Sequence, residues 1–431
     1  MADGRAAGPA DQGGVAPPAI DLSRWLRAGD TVVWGQSHAE PGTLIRSLVA
    51  QRHAFGRIRV FLGIGLGGIL APEHADAIDF LAYCGSGTNR SLVAAGVLDI
   101  LPVHYSRLPA LIGSGALRID VVMLQVSPPD EQGRYSLGMA RDYLVEALRH
   151  ARVVIGEVCE DVPWTYGGPY LSESAFDLLV PSEAGTVAEA AAASGPIEAA
   201  IGRNVAGLIE DGATLQTGIG AIPDAVLTAL GDKRDLGVHT GSIGAGMVAL
   251  IERGIVTNAR KRIDRGVTIG GVLIGGAGVR RFAHRNPALE LRGCDYTHAQ
   301  KVIAGIERFV AINSAIEVDL SGQVNSECAG GRYLGGVGGI GDFLRGAQAS
   351  PGGIPVVALP STAGGRSRIV PAISGPVTLP RSDSCVVVTE QGVADLRGLS
   401  LSQRIPRMIA VAHPDHREAL ERRSHAAMRS R

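Results

Sequence analysis

The chain has 431 residues, 45% of them apolar and 19% charged, with a formal net charge of −1. That length exceeds one ordinary hydrophobic core and predicts two domains, and the composition is that of a folded globular protein. The near-neutral balance offers no electrostatic footprint for nucleic acid or an anionic membrane surface, and no stretch approaches the roughly 20 apolar residues of a membrane span.

Residues 1–20 are rich in Ala, Gly, Pro and Asp and lack the apolar centre of a signal peptide, so a disordered tail is expected. Asp21 or Ser23 can cap a short helix at Asp21–Leu26, and Thr31–Trp34 reads as a buried strand. Helical periodicity follows over Gly42–Gln51. Strands are predicted at Ile58–Leu62, Val121–Gln125 and Arg152–Val158, with a helix over Met139–Arg149. An Ala/Ser/Gly-rich stretch at 181–198 marks the boundary between a first domain, 21–185, and a second, 186–431. The second alternates helix 199–209, strand Thr214–Gly218, helix Ile222–Leu230, strand Leu236–His239 and helix Met247–Arg253. Later strands are expected at Val267–Leu273, Phe309–Asn313, Pro355–Leu359 and Cys385–Thr389. Short apolar runs alternating with helical ones predict a parallel α/β architecture in both domains.

The five cysteines, Cys84, Cys159, Cys294, Cys328 and Cys385, are odd in number and without CxxC spacing. They fit reduced thiols in a cytoplasmic protein better than disulfides or a metal site. The 59 glycines are about twice the average share and cluster at 212–246, 270–278 and 330–353, where backbone is expected to approach a ligand closely. Thr217-Gly218-Ile219-Gly220-Ala221 ends a strand and opens a helix, so its free N–H groups suit a phosphate or thioester oxygen. An ordinary tight turn explains the same residues.

Longer motifs carry a more specific signal. They are Leu124-Gln125-Val126-Ser127-Pro128-Pro129-Asp130-Glu131-Gln132-Gly133, the run Ala311–Val324, Leu359-Pro360-Ser361-Thr362-Ala363, Ser367-Arg368-Ile369-Val370-Pro371 and Gly392–Gly398. With His239-Thr240-Gly241-Ser242-Ile243-Gly244-Ala245-Gly246 they make the chain resemble the acetyl-CoA hydrolase/transferase family, which includes the acetate and 4-hydroxybutyrate CoA-transferases. The resemblance implies two tandem open α/β domains of the CoA-transferase type facing each other across the active site. It further implies an acyl-CoA substrate, coenzyme A lying on Thr217–Ala221, no metal, and a homodimer or larger homo-oligomer.

In that family Glu-Met-x-Ser-Asp-Gly follows the His-Thr pair, and its Glu is the covalent nucleophile. Here Gly241 stands at the position of the Glu and Ala245 at that of the Asp. Gly335–Phe343 resembles the family's Gly-x-Gly-Gly-Gln-x-Asp-Phe loop, with Gly338 and Gly339 available to the thioester arm and Ile340 in place of the Gln. Gln391 replaces a Tyr. Together these changes imply a remodelled pocket without the family's reactive carboxylate.

Without that carboxylate an acceptor or water must attack the thioester directly. His239 is the nearest candidate base, although it equally suits a strand-end cap. Ser242 is a candidate nucleophile or substrate contact. Val324-Asn325-Ser326-Glu327-Cys328 adjoins the family's CoA site, so Asn325 is a candidate CoA contact and Glu327 a relocated carboxylate, with Glu390 as another and Cys328 as a thiol nucleophile. The expected function is acyl transfer from an acyl-CoA to a small-molecule acceptor, or its hydrolysis, without a glutamyl-CoA intermediate. Two alternatives stand beside it: a CoA transferase using Glu327 or Glu390, and a non-catalytic CoA-binding scaffold.

Overall fold

The computed structural model describes residues 20–183 and 195–429. The expected tail, apart from residue 20, and the expected domain boundary lie outside the described residues. A short 3-10 turn, Leu22–Arg24, starts the chain, with the Asp21 carboxylate accepting from Ser23 N.

A seven-stranded parallel sheet follows, in the spatial order Leu98–Ile100, Ile78–Ala82, Ile58–Leu62, Thr31–Trp34, Val121–Val126, Val153–Val158, Leu178–Pro181. Its central strands are almost wholly apolar and buried along their length, as a sheet covered on both faces requires. The chain runs outward from Thr31–Trp34 to one edge and then returns to place Val121–Val126 on the other side. The strand order therefore reverses between those two.

The second sheet has six strands, ordered Gly237–Val238, Thr214–Thr217, Phe309–Ser314, Ile354–Ala358, Val386–Thr389, Gly392–Asp395. Only the last pairing is antiparallel. Its order reverses between Thr214–Thr217 and Phe309–Ser314. Two α/β sheets, one in each half, are the architecture expected from the sequence.

Some expectations need correction. The single strand expected over Val267–Leu273 is two, Thr268–Gly270 and Val272–Ile274, and they join different partners: Leu289–Leu291 and Ser242–Gly244. Gly271 lies between them, packed so closely that a Cβ there would stand 3.0 Å from the carbonyl oxygen of Gly241. The helix expected from Met139 begins only at Leu144, because residues 139–142 pair with the second half instead. Strands Ile78–Ala82, Leu98–Ile100, Leu178–Pro181 and Gly392–Asp395 were not anticipated.

One buried cluster runs from Val33 and Val122 in the first sheet to Leu215, Ile312 and Val388 in the second, so the halves share a core. Backbone bonds stitch them: Arg141 N donates to Gly271 O, Leu273 N to Met139 O, Cys294 N to Asp142 O, and Tyr105 N to Gly338 O. Among the described residues no helix is long and apolar enough to cross a membrane.

Candidate active site between the sheets

In open α/β sheets, ligands bind beyond the carboxyl ends of the strands where the strand order reverses. The reversal point of the second sheet opens on one cleft, which the first half closes from the opposite side. Gln216, Thr217 and Asn313, at the carboxyl ends of the two second-sheet strands, line it together with Gly218, Ile219, Gly241, Ser242 and Ile274. The opposite wall holds Tyr83, Cys84, Ser86 and Tyr105 from the first half, and Gly336, Gly338, Gly339 and Phe343 close a further side. The cleft holds about 240 Å³ and opens to solvent. Its walls are fixed by hydrogen bonds: Asn313 Nδ2 donates to Gln216 Oε1 at 2.9 Å.

A polar network supports the first-half wall from beneath. Gln36 follows the strand Thr31–Trp34, at the reversal point of the first sheet. Its Nε2 donates to the Tyr105 hydroxyl (2.6 Å) and to Asp142 Oδ2 (2.8 Å), while its Oε1 accepts from Tyr83 (2.7 Å). Burial pushes the Asp142 carboxyl up to about 6, against the pull of its bonds to Gln36 and Tyr105. Burial also drives the Tyr83 and Tyr105 hydroxyls well above their ordinary range, so both remain protonated donors at neutral pH.

The imidazole that lines this cleft belongs to His298, a residue the sequence did not single out. It sits just past the short helix Cys294–Thr297, with its ring against Tyr105 (centroids 4.7 Å apart) and Phe343 (4.4 Å). Nδ1 is 2.9 Å from Thr297 Oγ1. Burial, with a smaller push from His239, lowers its pKa to about 3, so the ring is neutral across the physiological range.

The sequence-predicted residues divide into two groups. Thr217, Gly218, Ile219, Gly241, Ser242, Gly338 and Gly339 all line the cleft. Gly220 takes a positive φ of 114° as the cap of helix Ala221–Ala229, placing both Gly220 and Ala221 at the helix terminus beside the cleft.

The second group is directed elsewhere. His239 is fully buried beneath the cleft floor, with Nε2 on the Thr297 carbonyl (3.0 Å) and its ring near Tyr296 and Phe309. Burial, then the nearby Lys261 ammonium, lowers its pKa to about 4. Asn325 is buried and spends its amide within its own turn, donating to Glu317 and the Cys328 carbonyl and accepting from Glu327 N and Cys328 N. Glu327 is buried and accepts from Thr378 (2.8 Å) and Tyr333 (2.7 Å). Glu390 accepts from the Ser361 backbone N–H and hydroxyl, which hold its carboxyl low against the upward push of burial. None of these four, nor Cys328, lines the cleft. Ile340 turns into the core with Ile303 and Leu344, presenting no polar group to it.

Sequence comparison decides the family. The profile of the acetyl-CoA hydrolase/transferase N-terminal domain matches residues 19–170, and that of its C-terminal domain matches 275–424. The chain belongs to the acetyl-CoA hydrolase/transferase family. It is 38% identical over 395 residues to the 4-hydroxybutyrate coenzyme A transferase of Clostridium kluyveri, covering 90% of this chain and 92% of that one. Among solved structures, RipA from Yersinia pestis superposes with a TM-score of 0.90 at 34% identity, covering 94% of this chain and 96% of its own. The 4-hydroxybutyrate CoA-transferase of Porphyromonas gingivalis superposes at 0.79, again with 34% identity and the same coverage. As a member of the acetyl-CoA hydrolase/transferase family, the chain is an enzyme, an acyl-CoA transferase or hydrolase.

Proposed function

We propose that this member binds an acyl-CoA in the cleft between its sheets and passes the acyl group to an acceptor, or to water, by direct attack on the thioester. No glutamyl-CoA intermediate forms. One observation carries this reading: among the described residues, neither aspartate nor glutamate lines the cleft. An acyl-glutamyl route needs a carboxylate at the thioester carbon, because the carboxylate itself forms and breaks the covalent bonds. Gly241 supplies none, and Glu327 and Glu390 are committed to other partners.

The backbone of Ile219-Gly220 and of Gly338-Gly339 supports the thioester end of the substrate, since the small residues there let it approach closely. Tyr83 spends its proton on Gln36 Oε1 and Tyr105 accepts from Gln36 Nε2, so these two rings brace the cleft wall and leave charge stabilisation to backbone N–H groups. The acyl chain meets a largely apolar wall of Ile64, Ile274 and Phe343.

The test is trapping. Incubation with acetyl-CoA or butyryl-CoA followed by borohydride or hydroxylamine is expected to leave every carboxylate unmodified while thiol is released. A modified glutamate found by peptide mass spectrometry would restore the covalent route. A chain that binds coenzyme A but releases no thiol from either thioester would be a scaffold.

A further inference from the structure

We propose that His298 is the general base of this cleft and that the acceptor it serves is a neutral hydroxyl nucleophile, water being the smallest, rather than a carboxylate. The inference rests on direct attack and names the residue and the acceptor class it requires.

The position of His298 comes first. An ideal Cβ built on Gly241 would stand 3.0 Å from both Cε1 and Nε2 of the ring, and one on Gly339 would stand 2.6 Å from Cδ2 and 2.8 Å from Nε2. Two glycines from separate loops thus make the space the imidazole occupies, and Nε2 lies on the side they leave open. Tyr105 and Phe343 hold the ring, which is fully packed apart from that side.

Its tautomer follows from its neighbour. A threonine hydroxyl has one proton, and Thr297 Oγ1 reaches the Gly293 carbonyl at 3.3 Å. With that proton on the carbonyl, Oγ1 accepts from Nδ1–H, and the lone pair of Nε2 faces the cleft. His298 then has the free lone pair that a base needs, whereas Tyr83, Cys84 and Tyr105 are all pushed upward by burial and stay protonated.

The acceptor class follows from charge. The cleft is lined by neither lysine nor arginine among the described residues, so an acceptor carboxylate would enter without a countercharge. An ammonium would likewise find no carboxylate. A hydroxyl is neutral, and needs a base because its proton must leave as the bond forms.

The step balances within the cleft. The hydroxyl oxygen forms a bond to the thioester carbon while its proton passes to His298 Nε2. The carbon–sulfur bond of the resulting tetrahedral adduct then breaks, and the imidazolium returns the proton to the departing thiolate as CoA thiol. Dry surroundings disfavour an isolated imidazolium, but the one formed here is paired with the oxyanion of the adduct.

The experiment compares wild type, His298→Asn and His298→Ala in thiol release from acetyl-, butyryl- and octanoyl-CoA, with water, ethanol, glycerol or acetate as acceptor. Thermal melting and calorimetric binding of coenzyme A check the fold. Both variants are expected to lose about 10²- to 10⁴-fold in kcat, with coenzyme A binding changed less than threefold. Added imidazole should recover at least tenfold of the loss in His298→Ala. Variants within threefold of wild type, a loss traced to coenzyme A binding, or no rescue by imidazole would overturn the role of His298. Acetate outrunning every hydroxyl acceptor would overturn the acceptor class. A trapped glutamyl adduct in the wild type, or no thiol release from any of the three thioesters, would instead remove the direct-attack reading beneath both.

Discussion

The imidazole of His298 stands 3.0 Å from the point where a side chain on Gly241 would begin. The two positions press on each other, and the ring is held from behind by Tyr105 and Phe343. A carboxylate at 241 and an imidazole at 298 therefore compete for the same wall of the cleft.

Gly241→Glu is expected to lower the melting temperature and reduce thiol release by at least tenfold. Overpacking a closely filled position costs typically 1–3 kcal/mol. In the double variant Gly241→Glu/His298→Ala the clash is removed, so the melting temperature should recover, and a borohydride-trappable glutamyl thioester becomes geometrically possible. Thermal melts and trapping of the two variants side by side check this. Equal stability and activity of Gly241→Glu and wild type would refute the crowding argument.

Replacing Glu327 by Gln is expected to affect stability rather than turnover. Its two oxygens accept from the hydroxyl groups of Thr378 and Tyr333 inside the protein, and an amide returns a donor where both partners already donate. The measured outcome should be a loss of about 1–3 kcal/mol in denaturant unfolding with kcat within threefold. Loss of activity in a variant as stable as wild type would reinstate Glu327 as a relocated carboxylate.

The Gln216–Asn313 pair ties together the strands at the reversal point of the second sheet. Asn313→Ala frees the Gln216 amide inside the cleft. We expect at least a tenfold fall in kcat/KM for acyl-CoA with unfolding free energy changed by about 1 kcal/mol. Unchanged kinetics would show that the cleft floor does not touch substrate.

Stability should fall as the pH drops below 6.5. His298 and His239 have folded pKa values of about 3 and 4, below their ordinary 6.5, so between those limits the unfolded chain binds more protons than the folded one. Each histidine favours the folded state fully above 6.5 and gives up about 2 kcal/mol of that by pH 5. Asp142, raised to about 6 from 3.8, acts oppositely: its contribution is present at low pH and lost as pH rises through 6. Burial also raises Glu40 and Asp342, which act with Asp142, and lowers His74, which acts with the two histidines. The shifts of His298 and His239 are the furthest and set the direction, a net loss on acidification. Urea unfolding at pH 7 and pH 5 measures it, and replacing His298 with Gln should flatten the slope.

Much of the fold is legible in local pattern. Thr31–Trp34 and Ile58–Leu62 form where the apolar runs predict strands, because parallel strands buried on both faces must be apolar throughout. Edge strands such as Leu98–Ile100 and Gly392–Asp395 escape that reading, since one side of each faces solvent and the pattern weakens. Gly218, Gly241, Ser242 and Gly339 were legible as cleft residues because long motifs carry them. His298 was not. Nothing in Cys294-Asp295-Tyr296-Thr297-His298 marks a site, and its significance comes from glycines in two distant loops.

The sequence by itself determined the family, the two α/β halves and the absence of a side chain at Gly241, for these follow from periodicity and contiguous motifs. Only the tertiary structure decided what fills that space and which histidine faces it. His239, the first residue of the motif, is turned into the core and bonded to the Thr297 carbonyl. The next residue along from that carbonyl, His298, reaches the cleft instead. Packing around each ring chose between them, because a side chain's direction is set by the neighbours that crowd it and not by its distance along the chain.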